Sequence, residues 1–358
     1  MIAMICYGCG SELQSNNNLQ AGYIAKLQDN SHFYCWRCFR IKHYNELVNV
    51  NNVNYNYDDL FMKIKNNDGV VFYVINIMDF FGSLIWQYHC QLKNLRFYLI
   101  INKIDTIMQY IAFNKLKDWV RKQITLIGLE PIDIILVSST KNYFIDEFVE
   151  FLKKQQTDIY WIGKTNVGKS SLINKVLSLQ QQFSRKLPLM SYFPNTTMNL
   201  IAIAYRDYLY FYDTPGFSNS NELNYYLNNN AYRNLNFESK IKSKTYQLEY
   251  GQTITVVGLF QFSFIEGLAT SFHFYGSNKL VLHCSKIENC SRIWKQQILL
   301  LKPNTKMIEH QIKISKNNEE KIGIQIYGYG WISFKARKQQ LKLMLPENCD
   351  YQIIKPLV

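Results

Sequence analysis

One octapeptide constrains this chain more than any other stretch of it: GKTNVGKS, residues 163–170. It fits G-x-x-x-x-G-K-[ST], which works only as a turn between a buried strand and a helix. There the glycines let backbone N–H groups close around phosphates, and the helix N-terminus adds partial positive charge. Both flanks comply. DIYWI (158–162) reads as a short buried strand, and SLINKVLSL (171–179) has helical apolar spacing. An α/β fold with a parallel-rich sheet follows. Gly163, Lys164, Thr165, Asn166, Val167, Gly168, Lys169, Ser170 and Ser171 are the expected phosphate-loop residues. Lys169 would reach the β and γ phosphates, and the Ser170 hydroxyl would ligate Mg²⁺.

A second motif, NKID (102–105), ends the apolar run FYLII, which has the character of a buried parallel strand. A carboxylate placed there accepts hydrogen bonds from guanine N1–H and the 2-amino group. Adenine offers neither donor and would leave Asp105 unpaired, a heavy penalty in a hydrogen-bonding site. Asn102 would brace the loop, and the Lys103 stem would cover the base. After a further buried run, DIILV, Ser138, Ser139 and Thr140 stand where GTPases usually carry S-A-K. The main task there is a backbone N–H aimed at guanine O6, which Ser139 can supply. Thr140 puts any side-chain role at the third position in doubt.

DTPG (213–216) closes the strand LYFY. Asp213 would hold Mg²⁺ through water, and the Gly216 N–H would meet the γ-phosphate, so this turn can sense whether that phosphate is present. PNTT (194–197) offers Thr196 or Thr197 as the switch-I hydroxyl that completes the Mg²⁺ shell, and the sequence does not choose between them. Asn195 stands where Gly is usual, and Asn tolerates similar backbone angles.

In chain order the parts run base reader, S-S-T, phosphate loop, switch I, switch II. That is a circular permutation of a complete GTPase, tolerated when the original termini lie close and the new ones fall at the surface. A helix over IDEFVEFLKK (145–154), followed by QQTD, bridges the old ends. The chain therefore leaves the GTPase straight from switch II, and whatever follows residue 217 is tethered to the element that moves on hydrolysis.

Four of the eight cysteines form two knuckles, Cys6-x2-Cys9 and Cys35-x2-Cys38. Two intervening residues let one tight turn present both sulfurs to a tetrahedral ion at about 2.3 Å, and four thiolates leave no open position, so a structural zinc is expected. Behind the second knuckle, Arg37, Arg40 and Lys42 either touch phosphate or form an ordinary solvated face. A length of 358 residues suits two or three domains. The expected division is a zinc module (1–50), a permuted GTPase domain (51–217) and a β-rich, α+β domain (218–358).

Residues 218–358 carry 18 Lys and Arg against 10 Asp and Glu, a net of +8 within a chain total of +13, which favours a polyanionic partner. KIGIQIYGYGWISFKARK alternates like two strands around a Gly-rich turn. Its Tyr327, Tyr329 and Trp331, beside Lys335, Arg337 and Lys338, have the aromatic-plus-basic character that stacks bases and holds phosphates, although aromatics on alternating strands also serve as core. No window holds the ~18 apolar residues of a membrane span, and the start, MIAMICYGCG, lacks the features of a signal peptide. A cytoplasmic protein without a membrane partner is the expectation.

Taken together, CYGCG, CWRCFRIKHYNE, DFFGS (79–83), NKID, GKTNVGKSSLIN, PNTT, DTPG and YQLEYGQT (246–253) resemble the YqeH family of circularly permuted GTPases along nearly the whole chain. The resemblance implies a GTP-hydrolysing assembly factor for the small ribosomal subunit, with precursor rRNA or ribosomal proteins as partners. GTP/GDP, Mg²⁺ and structural Zn²⁺ are the implied cofactors. Phe217 follows DTPG where a Gln would orient the attacking water. Relatives likewise lack that Gln, which implies slow intrinsic turnover and a ribosomal activator. Asn166 matches an Asn that in related GTPases helps hold K⁺ in place of an arginine finger, or else is a loop-stabilising amide. Two other classes compete: a GTP-regulated RNA- or protein-binding switch off the ribosome, and a freestanding RNA-modification enzyme. The second needs another catalytic constellation, and the sequence shows none.

Overall fold

The computed structural model describes residues 4–24, 34–44, 55–179, 198–206, 209–228, 231–237, 239–296 and 300–358. They fall into two compact units. The first gathers Met1–Ile77, Ser83–Ile104 and Lys117–Ser218; the second gathers Met78–Gly82, Asp105–Leu116 and Asn219–Val358. The cysteine knuckles thus share a unit with the phosphate loop. Two short segments that precede the loop in the chain group instead with the C-terminal residues.

The first unit is built on six strands: β1 (Val70–Asn76), β2 (Phe97–Asn102), β3 (Ile134–Leu136), β4 (Ile159–Ile162), β5 (Ile201–Arg206) and β6 (Leu209–Asp213). Their order is β3-β2-β1-β4-β6-β5. All neighbours are parallel except β5 and β6. Every residue of β1 (VVFYVIN) is buried, as expected for a parallel strand covered on both faces. The strand that leads into the phosphate loop is fourth in sequence yet lies inside the sheet, between β1 and β6.

The bridging helix forms at Ile145–Lys153 and buries Ile145, Phe148, Val149 and Leu152. This i, i+3, i+4, i+7 stripe is what its apolar spacing requires. Phe148 meets the fully buried Trp161 edge-on, with ring centroids 6.1 Å apart, and Phe72 packs on the same indole at 5.1 Å.

Among the described residues the second unit contains ten strands: β7 (Lys244–Leu248), β8 (Gln252–Val256), β9 (Phe260–Glu266), β10 (Thr270–Tyr275), β11 (Leu282–Lys286), β12 (Met307–Lys313), β13 (Lys321–Ile326), β14 (Gly330–Lys335), β15 (Gln340–Pro346) and β16 (Tyr351–Ile354). They make two antiparallel sheets, β16-β13-β14-β10-β7 and β11-β8-β9-β15-β12. Phe262 on β9 packs against Phe272 and Phe274 on β10 at 5.0 and 5.7 Å, so the inner faces form one core. The β13–β14 hairpin forms as its alternation predicts. The strands flanking the Gly251-Gln252 turn join different sheets rather than each other.

The captured segments have visible anchors. The Asp79 carboxylate accepts the Gly328 N–H at 2.9 Å and the Gln325 amide at 3.3 Å. The Tyr110 hydroxyl donates to Ile241 O at 3.0 Å and accepts the Ser243 N–H at 3.0 Å.

The expectation that Tyr327, Tyr329 and Trp331 stack on bases does not survive. All three are buried, at 6%, 2% and 2% exposure. Tyr329 packs on Phe260 at 4.8 Å, and Trp331 stacks on Tyr275 at 4.9 Å, whose ring Tyr110 meets edge-on. Among the described residues, no helix is long and apolar enough to cross a membrane.

Candidate GTP site and cysteine cluster

The phosphate loop joins β4 to the helix Lys169–Leu179. Lys169 is buried, and its ammonium donates to Gly163 O at 2.9 Å and Lys164 O at 3.1 Å. Burial lowers its pKa to about 8, against a smaller opposing pull from the Asp213 carboxylate. Ser170 Oγ donates to Asp213 Oδ2 at 2.8 Å. The two groups assigned to Mg²⁺ from separate motifs therefore meet, and a hydroxyl beside a carboxylate is a fitting donor set for that hard cation. Held by Ser170 and Asp213, Mg²⁺ would neutralise phosphate charge on a bound nucleotide. Thr196 and Thr197 lie outside the described residues.

Asn102 ties the base reader to this loop. Its Nδ2 donates to Val167 O at 2.9 Å, and its Oδ1 accepts the Lys103 N–H at 2.8 Å and, more weakly, the Ser139 N–H at 3.4 Å. Gly168 adopts φ +99°, and an added Cβ would lie 2.3 Å from Asn102 Nδ2. The second loop glycine is therefore required twice, by backbone angle and by the asparagine against it. Ser138 is buried and Ser139 half-buried at the end of β3, with Ile104 N–H donating to Val137 O at 3.4 Å. Asp105 is buried and opens the segment grouped with the second unit.

Switch II begins against the phosphate loop. Thr165 N–H donates to Phe217 O at 2.8 Å, and Phe217 N–H to Gly163 O at 3.2 Å. A Cβ on Gly216 would come within 3.1 Å of the Thr165 backbone, so any side chain there would have to displace it. The Phe217 ring is buried, stacked on Tyr57 at 3.9 Å, and Tyr57 Oη donates to Gly216 O at 3.3 Å. Tyr57 belongs to no local motif, since nothing in its neighbourhood marks a partner 160 residues away. Asn166 has φ +62°, a left-handed turn that Asn tolerates.

The four cysteines converge. The sulfurs of Cys6, Cys9, Cys35 and Cys38 lie within 4.8 Å of one another, all buried. The Cys9 and Cys35 sulfurs are 3.8 Å apart, close to the ~3.8 Å edge of a tetrahedron with 2.3 Å Zn–S bonds. Hydrogen bonds within the set push the Cys6 and Cys38 thiols up and hold Cys9 and Cys35 down. An all-sulfur cage of this size fits zinc. The first knuckle also reaches the nucleotide region, because Cys9 O accepts the N–H groups of Met198 at 2.8 Å and Asn199 at 2.9 Å, just beyond PNTT.

The basic run behind the second knuckle divides. Arg37 is buried, which removes it as a free phosphate contact. The Arg40 guanidinium lies over Tyr44 at 4.8 Å, and the Lys42 ammonium over Tyr34 at 4.2 Å. Lys335 and Arg337 share Glu319, at 3.2 and 2.9 Å, and Lys338 is exposed.

A family model described as "50S ribosome-binding GTPase" matches residues 158–259. The match begins at the phosphate-loop strand and excludes NKID, as expected for a permuted chain. The protein YqeH of Bacillus subtilis (strain 168) is 27% identical over 370 residues, covering 100% of both chains. NO-associated protein 1, chloroplastic/mitochondrial, of Arabidopsis thaliana is 24% identical over 92% of this chain and 69% of its own. The solved structure of YlqF from T. maritima superposes with a TM-score of 0.31 at 15% identity, over 46% of this chain and 60% of that one. In a chain whose NKID motif precedes its phosphate loop, this end-to-end similarity to YqeH goes with a circularly permuted P-loop GTPase fold.

Proposed function

We propose that this chain is a cytoplasmic, GTP-hydrolysing assembly factor for the small ribosomal subunit. Nucleotide state at switch II would set how its flanking regions grip precursor rRNA or ribosomal proteins. One observation carries the reading: Phe217 pairs through its backbone with Gly163 and Thr165, and the chain passes within two residues to a C-terminal region of net charge +8. A shift of the loop on loss of the γ-phosphate would pull on that exit.

In this reading Lys169 holds the β and γ phosphates, and Ser170, Asp213 and either Thr196 or Thr197 serve Mg²⁺. Asn102, Lys103, Asp105 and Ser139 select guanine. The buried Phe217 ring cannot align a water, so turnover is slow until the ribosome supplies what is missing. Asn166 would help hold K⁺ as the charge that an arginine finger provides elsewhere.

The matched family model is described by the large subunit, and the Arabidopsis relative by organelles. The deciding experiment therefore measures GTP turnover with purified small or large subunits, in K⁺ and in Na⁺. Stimulation by small subunits, greater in K⁺, is expected. Stimulation by large subunits alone would redirect the proposal. Slow turnover that neither subunits nor K⁺ alters would leave the second reading, a GTP-regulated binding switch off the ribosome, which the buried Phe217 also suits.

A further inference from the structure

The C-terminal unit carries a groove of about 620 Å³ lined by Gln247, Ser271, His273, Lys321, Ser333, Lys335 and Arg337 among others. Strand alternation places it. Phe272 and Phe274 point into the core between the sheets, so Ser271 and His273, which alternate with them, face the other way. Ser333 pairs with His273 in the β10–β14 register and lies on the same outer face.

Two lysines meet across the strand pair that edges this groove. Lys321 and Lys335 are directly opposed in the β13–β14 register, and like charges facing each other destabilise a strand pair. Glu319 pairs with Lys335 and Arg337. Among the described residues no carboxylate pairs with Lys321, and Glu249 is the one acid in the groove lining. Burial holds the His273 imidazole below its usual pKa, and the Lys321 charge adds to that. Exposed ion pairs such as those of Glu319 contribute little and exchange readily for another anion.

We propose that this groove holds the sugar–phosphate backbone of a single-stranded RNA segment. Lys321, Lys335 and Arg337 contact phosphates, and Gln247 and Ser271 hydrogen-bond sugar or phosphate oxygens. The aromatic rings of β14 and the preceding turn are buried, so binding runs through the backbone rather than through base stacking and tolerates sequence. This rests on the RNA-binding reading above and gives it a location.

The test uses the full chain and a fluorescein-labelled, mixed-sequence RNA of about 12 nucleotides, within the range that single-strand grooves accommodate. Anisotropy is followed across a salt series. The double variant Lys321→Gln/Lys335→Gln should weaken binding at least tenfold and flatten the slope of log K against log salt by about 1.4, roughly 0.7 per lost phosphate contact. A control of equal charge change, Lys286→Gln/Lys313→Gln on the other sheet, should weaken it no more than about twofold, and Lys321→Arg should bind like the wild type. Groove and control variants that behave alike, with wild-type RNA binding intact, would overturn the groove and spare the RNA reading. No wild-type binding at physiological salt would overturn both. Polyglutamate that competes as well as RNA, and is lost in the groove variant, would assign the site to an acidic protein instead.

Discussion

Stripping the metal from the cysteine cluster should weaken GTP binding more than GDP binding. The link is short: Cys9 O accepts the Met198 and Asn199 N–H groups, and these residues directly follow PNTT, where the γ-phosphate-sensing threonine is proposed. A knuckle without its ion loses the shape that presents this carbonyl. Two backbone hydrogen bonds are at stake, each worth about 0.5–1.5 kcal/mol net. A combined loss of about 2 kcal/mol, the middle of that range, corresponds to roughly 30-fold. It should fall on a non-hydrolysable GTP analogue, because GDP makes no γ-phosphate contact. Gly10→Ala tests the same link without touching a sulfur: Gly10 has φ +77°, and an added Cβ would lie 2.7 Å from Asn199 O. The assay is fluorescence titration with both nucleotides on zinc-loaded, chelator-treated and Gly10→Ala protein, with metal content and circular dichroism measured alongside. Equal affinities for both nucleotides in all three samples would refute the reasoning.

Asp105→Asn should exchange guanine for xanthine selectivity, read by competition between GTP and xanthosine triphosphate; unchanged selectivity would remove Asp105 from the base reader. In the nucleotide-free protein, the folded pKa of Lys169 is about 8 against an ordinary 10.5, so the unfolded chain binds more protons between those values. Stability should therefore rise with pH across that window by up to about 3 kcal/mol. Lys169→Met should abolish that increment, and denaturant titrations at pH 7.5 and 10 that show the same slope for both proteins would contradict it. Phe217→Gln should cost about 2–3 kcal/mol by removing a buried ring from Tyr57, and should not speed hydrolysis. A faster variant would show that position 217 reaches the attacking water.

Much of the nucleotide site was legible because its motifs are local. A glycine loop between a buried strand and a helix is specified by neighbouring residues, and so is a carboxylate just past an apolar run. The convergence of Ser170 on Asp213, and of Asn102 on Val167, follows once those strands enter one sheet. Trp331 shows where such reading stops. Alternation says that one face of a strand is buried, but not whether the other face is covered too. Here Tyr275 covers the tryptophan and is itself backed by Tyr110, and the basic residues farther along the same sheet stay open.

By itself, then, the sequence determined the permuted motif order, the strand–loop–helix of the phosphate site and the two cysteine knuckles, because each rests on spacing within a few residues. Only the tertiary structure decided that Phe217 is sealed by Tyr57, that the first knuckle holds Met198 and Asn199, and that residues 78–82 and 105–116 group with the C-terminal strands. Those outcomes join residues far apart in the chain. They are set by which surfaces pack and which buried polar groups find partners, and no local pattern encodes that.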